Sequence, residues 1–215
     1  MILNKIVVPI VSVFIVIGAV NAAESVDLKV TGTLTNATCN PEITDGGVID
    51  MGHIPVKNMQ AETTVGYQIT KYQHTKIDLT ITCSTAMAVA FDLIDNKSGT
   101  VPSSFSAYHG KYGFGKTVDE KNIGMYQLYQ NKTFIDGVEG TSLYTPDNGK
   151  TWIRSNSLEP NNRYSFGKKD EMTVAPGKLF KFTMDSTFYF DKSVVDEMSD
   201  EIPYEGSATF TLVYL

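Results

Sequence analysis

The chain closes on residues 206–215, "GSATFTLVYL", where Ala208, Phe210, Leu212 and Tyr214 alternate with Thr209, Thr211 and Val213. Successive side chains of a strand point to opposite faces, so a period of two predicts a strand with one buried face. Chain ends usually fray unless something ties them down. Here a large aromatic on the buried face stands one residue from the carboxylate. A strand that looks essential to the core and then stops raises the question of what lies beside it.

The same alternation recurs upstream. In "VDLKVTGTLTNATC" the apolar positions are Val26, Leu28, Val30 and Leu34, with Gly32 interrupting them and Cys39 at the end. "KIDLTITC" sets Ile77, Leu79, Ile81 and Cys83 against Asp78, Thr80 and Thr82. "MAVAFDL" contributes Met87, Val89, Phe91 and Leu93, and "FKFTMDSTFYF" contributes Phe180, Phe182, Met184, Phe188 and Phe190. Strands favour Thr, Val, Ile and Phe. Turn clusters separate the runs: "TDGG", "DNKSG", "TPDNG", "EPNN" and "APG". Sustained helical periodicity is absent, and "SVVDEMSDE" has room for one or two turns. The expected class is all-β, with strand spacing that favours a sandwich. The stretch from about Ser98 to Ala175, rich in Gly, Tyr, Asn and Lys, reads as shorter strands with long surface loops.

Residues 1–22 predict a secretory leader. Lys5 is the one charge before an apolar run from Ile6 to Val20, and Val20 and Ala22 fit a small-residue cleavage site. The run is too short, and too interrupted by Pro9 and Ser12, for a membrane span of about 18–20 residues. The chain carries a formal net charge of −6, and losing Lys5 makes it one unit more negative. An acidic chain without basic clusters is a poor match for nucleic acid. Cys39 and Cys83 are the two cysteines. In an exported chain such a pair predicts one disulfide, not a metal site.

Residues 145–152, "TPDNGKTW", have the spacing of an Asp-box: Thr145, Asp147, Gly149, Thr151 and Trp152. The motif resembles one found in sialidases and other β-proteins. Its physics is local: a carboxylate accepts backbone N–H groups in a tight turn, Gly supplies positive φ, and Trp packs over it. Sialidase chemistry binds the substrate carboxylate with three arginines, whereas this chain offers Arg154 and Arg163. The histidines His53, His74 and His109 lack metal-ligand spacing. "YGFGK" sits in no phosphate-binding fingerprint. Asp92, Asp95, Asp119 and Asp136 cannot be paired from sequence. The reading is a non-enzyme without metal or cofactor. Tyr108, Tyr112, Phe114, Tyr126, Tyr129, Tyr144 and Trp152 crowd the middle of the chain. They read as core and hairpin packing, with stacking on a glycan as the other use.

The layout of the two ends resembles chaperone–usher fimbrial subunits. More closely, "DLKVTGTLTNATCNPEI", "DGGVIDMG", "LTITC", "YGFGK", "DNGKTW" and "DEIPYEGSATFTLVYL" resemble fimbria-like bacterial proteins labelled β-fimbria probable major subunit. The resemblance runs from about Asp27 to Leu215. It implies an immunoglobulin-like, pilin-type sandwich at 34–215 that lacks its final strand, with an extension at 23–33 serving as donor strand. It implies a groove strand of Ala208, Phe210, Leu212 and Tyr214, and donor positions Val26, Leu28 and Val30, with Gly32 for close packing. The implied partners are a periplasmic chaperone, an outer-membrane usher and neighbouring subunits, with export through the periplasm to a fimbrium at the cell surface. Pilin-type C-termini carry a glycine where this chain has Ile202, and the nearest glycine is Gly206. The alternative function is a surface β-sandwich protein that binds host or matrix glycans without polymerising.

Overall fold

The computed structural model describes residues 38–62, 66–69 and 75–215. The expected leader, the donor positions Val26, Leu28, Val30 and Gly32, and His74 lie outside the described residues. Among the described residues, no helix is long and apolar enough to cross a membrane.

The described chain is almost entirely β. Its strands are β1 (Cys39–Ile43), β2 (Met59–Glu62), β3 (Gly66–Ile69), β4 (Thr75–Met87), β5 (Val89–Asp95), β6 (Lys111–Gly113) and β7 (Gly124–Ile135). After these come β8 (Val138–Thr145), β9 (Ile153–Arg154), β10 (Ser157–Leu158), β11 (Arg163–Lys168), β12 (Gly177–Asp191) and β13 (Ala208–Tyr214). The single α-helix among the described residues, α1 (Lys192–Glu197), follows β12 and is capped by the Asp191 side chain, which accepts the Ser193 N–H at 2.9 Å.

Pairing follows one path, β1-β4-β12-β7-β8-β11-β5-β13. The path folds over into a sandwich. One layer holds β1, β4, β12 and β7, with β3, β6 and β10 attached, and the other holds β8, β11, β5 and β13. The chain crosses between the layers repeatedly, and two of the crossings are short. The β7–β8 hairpin turns from one to the other at Ile135↔Val138, and β4 passes into β5 through Ala88. Every ladder is antiparallel, as short hairpin links allow.

Aromatic side chains glue the layers together. Phe91 and Phe166 from one layer meet Phe182 and Phe180 from the other, with ring centroids 5.3 Å apart for Phe91–Phe182 and 4.7 Å for Phe166–Phe180. All four are essentially inaccessible. At the other end of the core Phe114 stacks on Phe190 at 5.3 Å, and Tyr204 meets both edge-on at 5.1 and 4.8 Å. Alternation in β12 delivers this: Phe180, Phe182, Met184, Phe188 and Phe190 are all buried.

Two expectations from sequence change. The middle of the chain does not reduce to short strands and loops, because β7 is a 12-residue strand beside β12 in the centre of its layer. Its first five residues are buried on both faces, since the segment around Phe105 and Tyr108 covers the outer side of Met125 and Tyr189. A strand covered on both faces loses its period-two signal. Cys39 stands at the start of the described β1, the strand expected before it lies outside the described residues, and Cys83 lies inside β4, which continues to Met87. "CNPEI" looks unlike a strand, but β1 is an edge, where Pro41 can do without an N–H.

Cys39 and Cys83 form a disulfide, and they are direct cross-strand partners in the β1–β4 ladder. Their separation of 44 residues makes closing the loop worth about 4 kcal/mol in the chain-entropy account. The Cys39→Ser/Cys83→Ser double variant is expected to lose stability of that order in denaturant titration. Wild-type protein should resist alkylation until reductant is added. Labelling of both thiols in unreduced material contradicts the pairing.

Candidate functional site

The two ends of the pairing path, β1 and β13, come together on one side of the sandwich without pairing to each other. β13 is the simpler lip. It runs antiparallel to β5, from Ala208↔Asp95 to Tyr214↔Val89. The N–H of Leu215 donates to the carbonyl of Ala88 at 3.1 Å, and the N–H of Asn96 to that of Ser207 at 2.9 Å. Both pairs continue the same register, so the odd-numbered residues of β13 turn their backbone groups toward β5. In an antiparallel ladder the intervening residues then face the other way. Ala208, Phe210, Leu212 and Tyr214 therefore present N–H and C=O to the outer edge, and among the described residues no strand pairs there.

The same four residues form the inward face. Ala208, Phe210 and Leu212 are half-buried and pack against the core, with the Phe210 ring 5.8 Å from that of Phe91. Tyr214 is 50% exposed. By contrast, their partners on β5, Val89, Phe91 and Leu93, are inaccessible. Among the described residues, this loss of cover from β5 to β13 leaves an apolar opening at the edge.

β1 is the other lip. Cys39 and Ile43 turn half-buried side chains inward, while Pro41 and Glu42 are exposed. One hydrogen bond spans the top of the opening: the Cys39 N–H donates to the Tyr214 hydroxyl at 3.0 Å. Thr38 still runs beside β4, accepting the Ser84 N–H at 3.0 Å and donating its own N–H to the Ser84 hydroxyl at 3.2 Å.

Separately, a cleft of ≈ 1160 Å³ lies between residues 49–56 and 198–204. Ile49, Met51, Ile54, Met198, Ile202 and Tyr204 give it an apolar lining. Among the described residues, the backbones of 49–54 and 199–204 make no hydrogen bond to another backbone group. Ile202, in the position where pilin-type ends carry glycine, is half-buried in this lining. Gly206 is required for another reason: a Cβ there lands 2.4 Å from Cε1 of Tyr126.

The other residues singled out from sequence lie elsewhere and serve local structure. In the Asp-box turn the Thr145 hydroxyl accepts the Gly149 N–H at 2.7 Å, and Asp147 accepts the Thr151 N–H at 2.8 Å and its hydroxyl at 2.7 Å. These Thr151 bonds, with that from Thr145, hold the Asp147 carboxyl below its ordinary range. Gly149 has φ +93 and faces Trp152. Arg163 pairs bidentately with Asp92 at 2.7 and 2.9 Å, and Arg154 pairs with Asp170 at 2.8 Å. Asp95 accepts the N–H groups of Lys97 and Gly113, and Asp136 those of Lys178 and Leu179. His53 meets Glu201 at 3.3 Å and His109 meets Glu159 at 3.8 Å, while Asp119 is exposed. Among the described residues no group of three or more His, Cys, Asp or Glu could hold a metal ion. Tyr112, Phe114 and Tyr126 are core, and Tyr108, Tyr129, Tyr144 and Trp152 are half-buried. Burial pushes the Tyr112 and Tyr126 hydroxyls well above the ordinary phenol range.

Sequence reasoning singled out the β13 residues but not the cleft or the Cys39–Tyr214 bond. The cleft's residues come from two irregular segments far apart in the chain, and neither carries a periodic signal. Comparison with known proteins adds similarity without an activity. A family model described as "Protein of unknown function (DUF1120)" matches residues 28–110, a stretch that includes both cysteines. The chain is also similar to the "Uncharacterized protein YhcF" of Escherichia coli (strain K12), at 23% identity over 230 residues, covering 90% of this chain and 92% of that protein. No solved structure matches.

The Tyr214–Cys39 bond yields a prediction. Tyr214→Phe keeps the ring and removes the acceptor, so the loss of stability is expected to be about 0.5–1.5 kcal/mol. Denaturant titration reads it, and a variant as stable as wild type excludes a contribution from this bond.

Proposed function

We propose that this chain is a structural subunit of a fimbria-like surface fibre, and that the opening between β1 and β13 accepts a β-strand from another chain. A periplasmic chaperone supplies that strand first. The N-terminal extension of a neighbouring copy, with Val26, Leu28 and Val30 as its apolar positions, then replaces it. An usher in the outer membrane is the exit in this scheme. The observation that carries the reading is the double duty of Ala208, Phe210, Leu212 and Tyr214. Among the described residues, they offer unpaired backbone to the edge and incompletely covered apolar side chains to the core. A strand laid there satisfies both at once, which is how added strands gain affinity from backbone bonds and specificity from alternate side chains.

The glycan-binding alternative draws less support, because the densest aromatics of the middle segment are core.

Supplying the strand tests the scheme. Residues 23–33 are appended after Leu215 through a short flexible linker, in a chain that starts at residue 23. Burying Val26, Leu28 and Val30 is worth at most about 4–9 kcal/mol at roughly 1.5–3 each, less after allowing for compaction of the unfolded chain. Domain stability is typically about 5–15 kcal/mol, so a large rise in melting temperature is expected. A control with Asp in the copied places of Leu28 and Val30 should gain nothing, since unpaired charge cannot enter an apolar groove. A starting chain that already melts cooperatively at high temperature and gains nothing from the strand removes the assembly scheme.

Deleting Tyr214 and Leu215 tests the chaperone step. Abundance in the periplasm and recovery of a co-purifying chaperone should both fall, because an uncovered apolar edge invites aggregation and proteolysis. Unchanged values for both count against the chaperone step.

A further inference from the structure

β1 and β13 are guarded differently. β1 carries Pro41 and Glu42, an imino acid and a charge of the kind that keeps edges from pairing with strangers. β13, "ATFTLVY", has no charge, no proline and no bulge in its ladder with β5. Its outward backbone groups belong to Ala208, Phe210, Leu212 and Tyr214. We infer that this edge is self-complementary, and that the chaperone-free subunit rests as a two-fold dimer in which β13 of one copy pairs antiparallel with β13 of a second. The inference rests on the same open edge as the proposed function, and it assigns that edge a different occupant.

The register follows from symmetry. Antiparallel pairing of a strand with its own copy has a two-fold axis, and only an axis at Thr211 places all four outward residues opposite outward residues. Phe210 then faces Leu212 of the second copy and Ala208 faces Tyr214, each a hydrogen-bonded pair. With four such pairs exchanging two bonds each, every free N–H and C=O of the edge finds a partner. The side chains match as well. Cross-strand partners lie on one face, so each half-buried Phe210 gains apolar cover from the other copy's Leu212. On the outward face Thr211 meets itself, a neutral hydroxyl pair, and Thr209 meets Val213. Nothing in 208–214 repels its own copy.

This dimer hides the edge that assembly uses. A chaperone strand or a neighbour's extension competes with it, so the dimer is a storage form of the free subunit and not a step toward the fibre.

The register makes a single-residue test possible. Thr211 sits opposite its counterpart in a non-hydrogen-bonded pair, where Cα atoms are about 4.5 Å apart, within the disulfide range of about 4.4–6.8 Å. Thr209 sits about 13 Å along the strand from its counterpart, at four residues' rise. Both are exposed and face away from the groove. The chain from residue 23 is purified without chaperone, with the Cys39–Cys83 bond intact, and its mass is measured by sedimentation over a concentration series. Twice the monomer mass is expected at the upper end. Under mild oxidation Thr211→Cys should convert to a covalent dimer, and Thr209→Cys should stay monomeric on a non-reducing gel. Thr211→Lys sets two ammonium groups face to face and should return the mass to that of a monomer while leaving the groove face untouched. The version with an appended strand should be monomeric, its edge already covered. A monomeric wild-type chain, or Thr211→Cys cross-linking no more than Thr209→Cys, overturns the dimer. If the appended strand still raises the melting temperature, the groove reading survives that result. If Thr211→Cys cross-links and the appended strand does nothing, the dimer stands and the groove reading falls.

Discussion

Among the described residues, the Tyr214 hydroxyl accepting the Cys39 N–H is the one hydrogen bond that joins the two ends of the strand path. Everywhere else along β1-β4-β12-β7-β8-β11-β5-β13, neighbours are joined by ladders. A ladder satisfies both backbone groups of every second residue on each strand, whereas this junction satisfies one N–H. A single neutral hydrogen bond is worth about 1 kcal/mol net. The sandwich is thus continuous around its closed side, and at the other side it is held at one point above an apolar opening.

The lips of that opening are braced from behind. β1 is tied covalently to β4 through Cys39–Cys83, and β4 runs through Ala88 into β5, the strand that carries β13. Both lips therefore hang from one continuous stretch of chain. The aromatic contacts between Phe91, Phe166, Phe180 and Phe182 fix that stretch against the opposite layer. Packed cores are close to crystalline in density and deform little, so the geometry of the opening is set by the rigid part of the fold. In the proposed role, an incoming strand meets an acceptor whose shape already exists.

Many of the polar residues that sequence motifs bring forward as chemistry are spent on turns and edges. Asp147 organises the Asp-box turn, Asp95 the loop after β5, and Asp136 the hairpin between β7 and β8 where β12 begins. Asp92 and Arg163 neutralise each other on the outer face of one layer. Asp147, Asp95 and Asp136 accept donors that the local backbone would otherwise leave unpaired, the usual price of tight turns in an all-β chain.

The sequence alone determined the class, the alternating strands β4, β5, β12 and β13, the Asp-box turn and the cysteine pair. Each of these is legible because its signal is local: a period of two, a fixed turn spacing, or an even count of cysteines. It also singled out Ala208, Phe210, Leu212 and Tyr214 as one face. Tertiary structure decided what that face is next to. The order of strands brings β13 to an edge, and the register with β5 makes the same residues own the outward backbone groups. The cleft between 49–56 and 198–204 is built from segments without periodicity, brought together only by the turn after β1 and the turn after α1. β7 escaped notice because covering both faces of a strand erases the alternation by which strands are recognised, and burial on both faces is a property of the assembled sandwich, not of the strand.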